Sequence, residues 1–289
     1  MGLELEWLTF PFDDPTRRVD LHELRPVLDA LDGRLPCHSA LSVEPGGQLE
    51  ISTRPFDAVS DAIDAARTDA ARLRDALAGI GVELVGRGLD CHRAPARVVD
   101  TARYRAMEAY FDHAGVDGRT MMCNSASIQI NVDFDGDVRD AWRAAHVVAG
   151  SLHARGSTPA PNRLDVWSRI DATRTAAVGG TDPRTAWPAY AFDARVMFIR
   201  IGPDDCEPVL GHFRFRDWIE HGHPLGWPTE ADLREHLTTL FPPVRPRGFL
   251  EIRTLDACAD DEWPALAEHA IGLLLDGPGR DEILERACR

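Results

Sequence analysis

The sequence predicts an α+β fold built on an antiparallel β-sheet, and three observations carry that reading. Four segments alternate apolar and polar residues with period two, the mark of strands with one face on a core. They are Leu3, Leu5 and Trp7 against Glu4 and Glu6; Leu49, Ile51 and Thr53 against Gln48, Glu50 and Ser52; Ala126, Ile128, Ile130, Val132 and Phe134 against Ser125, Ser127, Gln129, Asn131 and Asp133; and Leu250 and Ile252 against Phe249, Glu251 and Arg253. Between the second and third, Val59, Ile63, Ala66, Ala70, Leu73 and Leu77 recur at spacings of three or four, which makes a helix with one apolar stripe. The chain has no G-x-G-x-x-G, G-x-x-x-x-G-K-[ST], H-E-x-x-H or G-x-S-x-G motif. Nucleotide binding, if present, therefore uses neither a Rossmann nor a P-loop scaffold.

In chain order, residues 2–10 form the first strand. Glu4 and Glu6 on its polar face repel each other unless a positive charge sits between them; as gatekeepers of an edge strand they would equally suit solvent. Turn residues follow at Pro11, Asp13, Asp14 and Pro15, then a short helix over 22–31. Pro45-Gly46-Gly47 is a turn signal before the strand at 48–53, and the helix of 57–77 comes next. A short strand at 82–85 and a helix at 98–114 lead to the long strand 121–134. Its face of Ser125, Ser127, Gln129, Asn131 and Asp133 suits either a solvated outer surface or the floor of a polar cup. The turn Asp135-Gly136-Asp137 precedes a helix over 138–155 with Trp142, Val147 and Leu152 as core candidates.

Residues 156–162 read as a loop, 162–175 as an arginine-rich loop or strand end, 176–188 as a punctuated loop and 189–201 as a strand. Aromatic residues and two arginines fill 212–222. Thr229 and Asp232 open a helix with a capping-box pattern, which Pro242-Pro243 ends. The strand at 248–256 and helices over 261–275 and 280–288 complete the chain. His146, His153, His221 and His223 read as ordinary helix or loop residues, with no partner at metal-ligand spacing.

Composition bounds the function. The 289 residues, 44% hydrophobic and 27% charged, fit a globular protein with a substantial core. With no internal repeat and no low-complexity linker, one domain over 1–289 is expected. A net charge of −15 argues against a nucleic-acid partner or an anionic membrane surface. No apolar run is long enough to span a bilayer, and MGLELEWLTF lacks the pattern of a signal peptide. Cys37, Cys91, Cys123, Cys206, Cys258 and Cys288 form no CxxC pair, so reduced thiols in a cytoplasmic protein are expected.

The strands share one feature: an apolar face opposite a face of Glu, Gln, Asn or Arg. Glu4, Glu6, Glu50, Gln129, Asn131 and Glu251 offer the hard oxygen donors that Mg²⁺ prefers. Carboxylates on neighbouring strands are costly without cations. With two or three Mg²⁺ they would form a phosphate site, with Arg169, Arg174 and Arg253 as complementary charge.

At this point the chain becomes recognisable. GLELEW, PGGQLEIST, the strand from Met121 to Phe134, NRLDVWSRIDATRT and HLTTLFPPVRPRGFLEIRTLD, in this order, resemble the glutamate–cysteine ligase family, and most closely its plant-like branch, which includes the actinobacterial enzymes of ergothioneine biosynthesis. The resemblance runs from residue 2 to about 256. It implies the fold of the glutamine synthetase-like carboxylate–amine ligases, an antiparallel sheet curved into a cup with helices on the outer face. It implies ATP-dependent phosphorylation of the γ-carboxylate of L-glutamate and attack by the amine of L-cysteine, with ATP as co-substrate and two or three Mg²⁺. By motif position it implies Glu4, Glu6, Glu50, Gln129 and Glu251 as metal ligands and Arg253 on the transferring phosphoryl group. Arg169 would contact glutamate or phosphate, Arg174 would serve either, and Ser127 and Asn131 would line the floor of the cup toward substrate and ATP. The chain starts on the first motif and stops at Arg289 inside a predicted helix. The expectation is a domain cut short at its C-terminus, with the N-terminus a second candidate. A ligase using another amine, and a module that holds glutamate or nucleotide without turnover, stay open as alternatives.

Overall fold

The computed structural model describes residues 1–134, 136–155 and 162–275. Its strands are β1 (Gly2–Pro11), β2 (Ala40–Val43), β3 (Leu49–Ser52), β4 (Val82–Val85), β5 (Ser127–Val132), β6 (Phe198–Gly202), β7 (Asp205–Pro208), β8 (Val244–Pro246) and β9 (Leu250–Asp256). Its helices are α1 (Leu21–Leu31), α2 (Val59–Ala78), α3 (Ala102–Ala114), α4 (Val116–Asn124), α5 (Val138–Arg155), α6 (Arg163–Ser168), α7 (Ala172–Thr175), α8 (Pro183–Asp193), α9 (Phe215–His221), α10 (Glu230–Leu237) and α11 (Trp263–Leu275). An open antiparallel sheet runs β2-β3-β1-β5-β9-β8, and β4 pairs with the far half of β1. β6 and β7 form a separate hairpin. The α+β expectation holds.

The period-two pattern fixes which face is buried. Leu5 pairs with Ile51, Leu3 with Ile130, and Ile130 with Ile252, so one face is a continuous apolar surface. Against it pack α2 through Ala66 and Leu73, α5 through Trp142 and Val148, and α11 through Ala267 and Ile271, all buried in one cluster. Each of the larger aliphatic side chains contributes roughly 1.5–3 kcal/mol when fully buried. With the helices on that side, the polar side of the sheet is left for the site. A second cluster, of Met107, Phe111, Met122 and Phe198, packs separately from this core. Among the described residues, no helix is long and apolar enough to cross a membrane, and the cysteines are free.

Three expectations are corrected. The strand at 121–134 is shorter: Met121 to Asn124 end α4, and the strand begins at Ser127. Met121-Met122-Cys123 is an unbroken apolar run, which carries no alternation and suits a helix equally. The Ser125 hydroxyl bonds the Met121 carbonyl at 2.6 Å, one helical turn back. Residues 189–201 are not one strand. Asp182 caps α8 by accepting from the Arg184 amide, with Pro183 in the first turn, and β6 begins only at Phe198. The arginine-rich stretch at 162–175 is α6 and α7, each started by an N-cap, Asn162 and Asp171. The short strands β2, β7 and β8 are additional to the expected set. The predicted loop at 156–161, Asp135, the side chain of His153 and the helix at 280–288 lie outside the described residues.

Candidate active site

Five adjacent strands project polar side chains from the face opposite the core. Register sets Glu6 against Glu50, Glu4 against Gln129, and Asn131 against Glu251, which also faces Arg245 across β8. These rows follow from alternation alone: once Leu5 and Ile51 face the core, Glu4, Glu6 and Glu50 face away from it. A register shift between Ile128 and Ile130 interrupts the pairing of β5 with β9. Here the Arg253 guanidinium donates to the side-chain carbonyl of Gln129.

Hydrogen bonds hold the carboxylates in place. Glu6 accepts from the Ser127 amide at 2.8 Å and the Gln129 side-chain amide at 3.0 Å. Glu4 accepts from the Asn131 side-chain amide at 2.9 Å, while the buried side-chain oxygen of Asn131 has no protein partner. Ser42 and Ser52 donate to Glu50 at 3.0 and 3.1 Å. Glu251, fully buried, takes a two-pronged bond from Arg245 at 2.5 and 2.9 Å and lies 3.3 Å from Arg253.

Glu44 joins this set from the turn between β2 and β3. Burial, and then the charge of Glu6, push its carboxyl up to about 7. Burial and the charges of Glu6, Glu44 and Glu4 push Glu50 up to about 8. Burial raises Glu6 too, against the pull of Arg163 and Arg253. Glu251 is the opposite case: burial alone would raise it, but Arg253 and Arg245 outweigh that and hold it at about 2. The sheet thus carries a permanently ionised, arginine-held carboxylate at one side and a cluster of mutually repelling carboxylates at the other.

That cluster fits a hard divalent cation by its chemistry. Its donors are carboxylate and amide oxygens, and its surplus negative charge adds to burial in raising the proton affinity of Glu44 and Glu50. Among the described residues, no three His, Cys, Asp or Glu side chains are already gathered tightly enough to hold a metal ion.

A cavity of about 230 Å³ opens beside the cluster, between Glu6, Glu44, Ser127 and Arg253 on one side and Met107, Trp167 and Phe241 on the other. Arg163, at the start of α6, is almost fully buried. It pairs with Asp256 at 3.2 Å and donates to the carbonyls of Arg253 and Leu255 at 2.5 and 3.2 Å. Trp167 packs against two guanidinium groups, its ring centre 4.6 Å from Arg163 and 5.9 Å from Arg253.

Of the sequence-predicted residues, the structure gathers Glu4, Glu6, Glu50, Ser127, Gln129, Asn131, Glu251 and Arg253 on one face. It does not bring Arg169 or Arg174 there. Arg169 is half exposed and pairs with Asp117 at 2.9 Å. Arg174 is fully buried and spends its nitrogens on Asp171, Thr239 and the Arg195 carbonyl, tying α7 to neighbouring chain. Glu44, Arg163, Trp167 and Arg245 are additions. Glu44 directly precedes the Pro45-Gly46-Gly47 turn, and Arg163 opens the arginine-rich block. Neither sits in a periodic segment, so only those local signals pointed at them.

Comparison with known proteins bears on the whole chain. Residues 1–285 match the model of Glutamate-cysteine ligase family 2 (GCS2). Glutamate–cysteine ligase EgtA of Mycobacterium tuberculosis is 41% identical over 97% of this chain and 69% of its own length. The protein of the same name in Mycolicibacterium smegmatis is 39% identical over all of this chain and 72% of its own. The chloroplastic glutamate–cysteine ligase of Arabidopsis thaliana is 25% identical over 89% of this chain and 53% of its own. With a family model spanning nearly every residue and relatives this similar along most of their length, the chain belongs to the glutamate–cysteine ligase family.

Proposed function

We propose that the protein catalyses ATP-dependent ligation of L-glutamate to L-cysteine, giving γ-glutamylcysteine, ADP and phosphate. The observation that carries the reading is the acidic face of the sheet, bordered by Arg253, in a chain of this family. The γ-carboxylate oxygen of glutamate attacks the terminal phosphorus of ATP and ADP leaves. The amine of cysteine then attacks the acyl carbon, loses a proton and expels phosphate. Glu4, Glu6, Glu44, Glu50, Gln129 and Glu251 would hold two or three Mg²⁺. Bound there, the metal supplies charge neutralisation for the triphosphate and for the buried carboxylates.

The protein's own residues do the rest by position and charge. Arg253, fixed by Gln129 and Glu251, stabilises the equatorial oxygens of the transferring phosphoryl group. Ser127 and Asn131 line the floor, where the unpartnered oxygen of Asn131 can accept from a substrate amine or hydroxyl. Arg163 takes the place that sequence alone gave to Arg169 and Arg174, because it lines the cavity, as Arg103 and Arg253 do, while Arg169 and Arg174 do not. Free thiols among the described cysteines suit a cytoplasmic protein, and resemblance to the ergothioneine branch points to low-molecular-weight thiol synthesis as the use of the product.

ADP release with glutamate, Mg²⁺ and cysteine tests the reading. Cysteine-dependent release is expected. Release that depends on other amines and not on cysteine would replace the acceptor, and tight Mg·ATP binding without any release would make the chain a binding module.

A further inference from the structure

Among the carboxylates of the acidic face, Glu44 is the one without a hydrogen bond to its side chain: Arg253 and Arg103 act on it by charge alone, while Glu6 and Glu4 repel it. A carboxylate repelled by its neighbours and tied by no donor swings away unless its backbone is held. The backbone of residues 44–47 is held on every side. The Glu44 amide donates to the Gln48 carbonyl at 2.8 Å, and the Gly47 amide to the Glu44 carbonyl at 2.9 Å. The Pro45 carbonyl accepts from the amides of Val98 and Val99, and the Gly46 amide donates to the Gln48 side chain at 2.9 Å. The Thr9 hydroxyl donates to the Gly47 carbonyl at 2.9 Å. Gly46 lies so close to Cys123 that an added Cβ would fall 2.0 Å from the Cys123 carbonyl oxygen.

Arg18, on the segment after β1, joins these ties to the rest of the molecule. One terminal nitrogen donates to the carbonyls of Gly46 at 3.0 Å and Cys123 at 3.2 Å. The other donates to the Ala94 carbonyl at 2.8 Å and the Asn124 side-chain oxygen at 2.7 Å. Asn124, buried at the end of α4, passes its own amide hydrogens to the carbonyls of Asp90 and Arg93. All four Arg18 bonds run to neutral oxygens, on three segments that would otherwise be independent. Only a planar fork can reach them together; an ammonium is a single point.

Resting on the metal-site reading above, we infer that Arg18 is the positioning residue for Glu44, with Thr9 as the second tie on the same turn. Neither touches the metal or a reactant. They hold the turn against the repulsion within the acidic cluster, so that the Glu44 carboxylate faces the other ligands before a cation arrives. Supports of this outer kind typically carry 10- to 100-fold in metal affinity.

The test is a double-mutant cycle on the full chain, read by direct binding of Mn²⁺ as the probe, from the loss of the free ion's EPR signal. Arg18→Lys should weaken Mn²⁺ binding on the order of tenfold, while kcat at saturating Mg²⁺ stays within about threefold of wild type. In a Glu44→Gln background the same change should move the affinity less than about twofold, because its effect passes through Glu44. Partial unfolding lowers the number of sites and not their affinity, and Thr9→Val, which removes one hydroxyl, should give the same Glu44-dependent loss in smaller measure if Arg18→Lys folds poorly. An equal loss in both backgrounds, no loss in either variant, or Mn²⁺ affinity unmoved by Glu44→Gln alone would overturn the inference. Cysteine-dependent ADP release by the wild-type chain reports on the ligase reading separately; its failure would leave the binding cycle to decide the role of Arg18.

Discussion

At the scale of single residues, the site is a set of carboxylates whose surroundings pull their proton affinities apart. Glu50 at about 8 and Glu251 at about 2 sit on the same sheet face; one is buried and crowded by acids, the other buried but held by arginines. Glu50→Gln removes one repelling charge at constant volume and keeps an acceptor for Ser42 and Ser52. At pH 9 the metal-free variant should melt about 2–4 °C higher than wild type, as expected for roughly 1 kcal/mol in a chain of this size, while turnover falls on the order of 100-fold or more. A lower melting temperature, or retained turnover, would remove Glu50 from the cluster. His236 makes a separate prediction. Burial holds its imidazole at about 4, below the ordinary 6.5, although its bond to the Ala191 carbonyl opposes this. Its folded pKa is depressed, so the unfolded chain binds the proton first, and stability is lost as pH falls from about 6.5 toward about 4. His236→Gln should flatten that slope in denaturant titrations; an unchanged slope would exclude His236 as its source. Alternation made Glu4, Glu6, Glu50, Gln129, Glu251 and Arg253 legible in the sequence, because a period of two dictates the face. Arg174 misled because residue type does not say which way a guanidinium turns, and Asp171, three residues earlier, pairs with it.

At the scale of elements, the turn between β2 and β3 and the end of α4 act as one piece. Gly46→Ala has no room beside the Cys123 backbone, and overpacking of this kind typically costs about 1–3 kcal/mol. The displaced turn carries Glu44, so apparent Mg²⁺ affinity should weaken along with stability; a loss of stability with Mg²⁺ dependence unmoved would uncouple the turn from the site. Thr229→Ala is the contrasting change. It removes the capping box of α10 and should cost about 1 kcal/mol in thermal melts without altering kcat. The capped α10 was legible from its signature residues. The end of α4 was not, since Met121-Met122-Cys123 satisfies helix and strand alike. Nor was β8, whose three residues are too few to show a period.

At the scale of the whole molecule, the sheet separates its work by face: helices α2, α5 and α11 seal one side, and the other is left for polar groups. That division was legible because each strand pattern names its two faces. The cavity was not, because its far wall is supplied by α3, α4 and α6, which no pattern in the strands specifies. The division also makes the metal-free fold sensitive to pH. Glu44 and Glu50 have folded values of about 7 and about 8, raised above the ordinary 4.5. Their contribution is fully present below about 4.5 and is lost as pH rises through about 8. A cation replaces those protons, so Mg²⁺ should raise the melting temperature more at pH 8.5 than at pH 6. Equal shifts at both values would mean that Mg²⁺ binds elsewhere. On the proposed reading, the acidic face activates the glutamate γ-carboxylate as an acyl phosphate. Turnover of glutamate carrying ¹⁸O in that carboxylate, with mass analysis of the released phosphate, tests it most directly. One labelled oxygen per phosphate is the predicted result; phosphate released without label would contradict it.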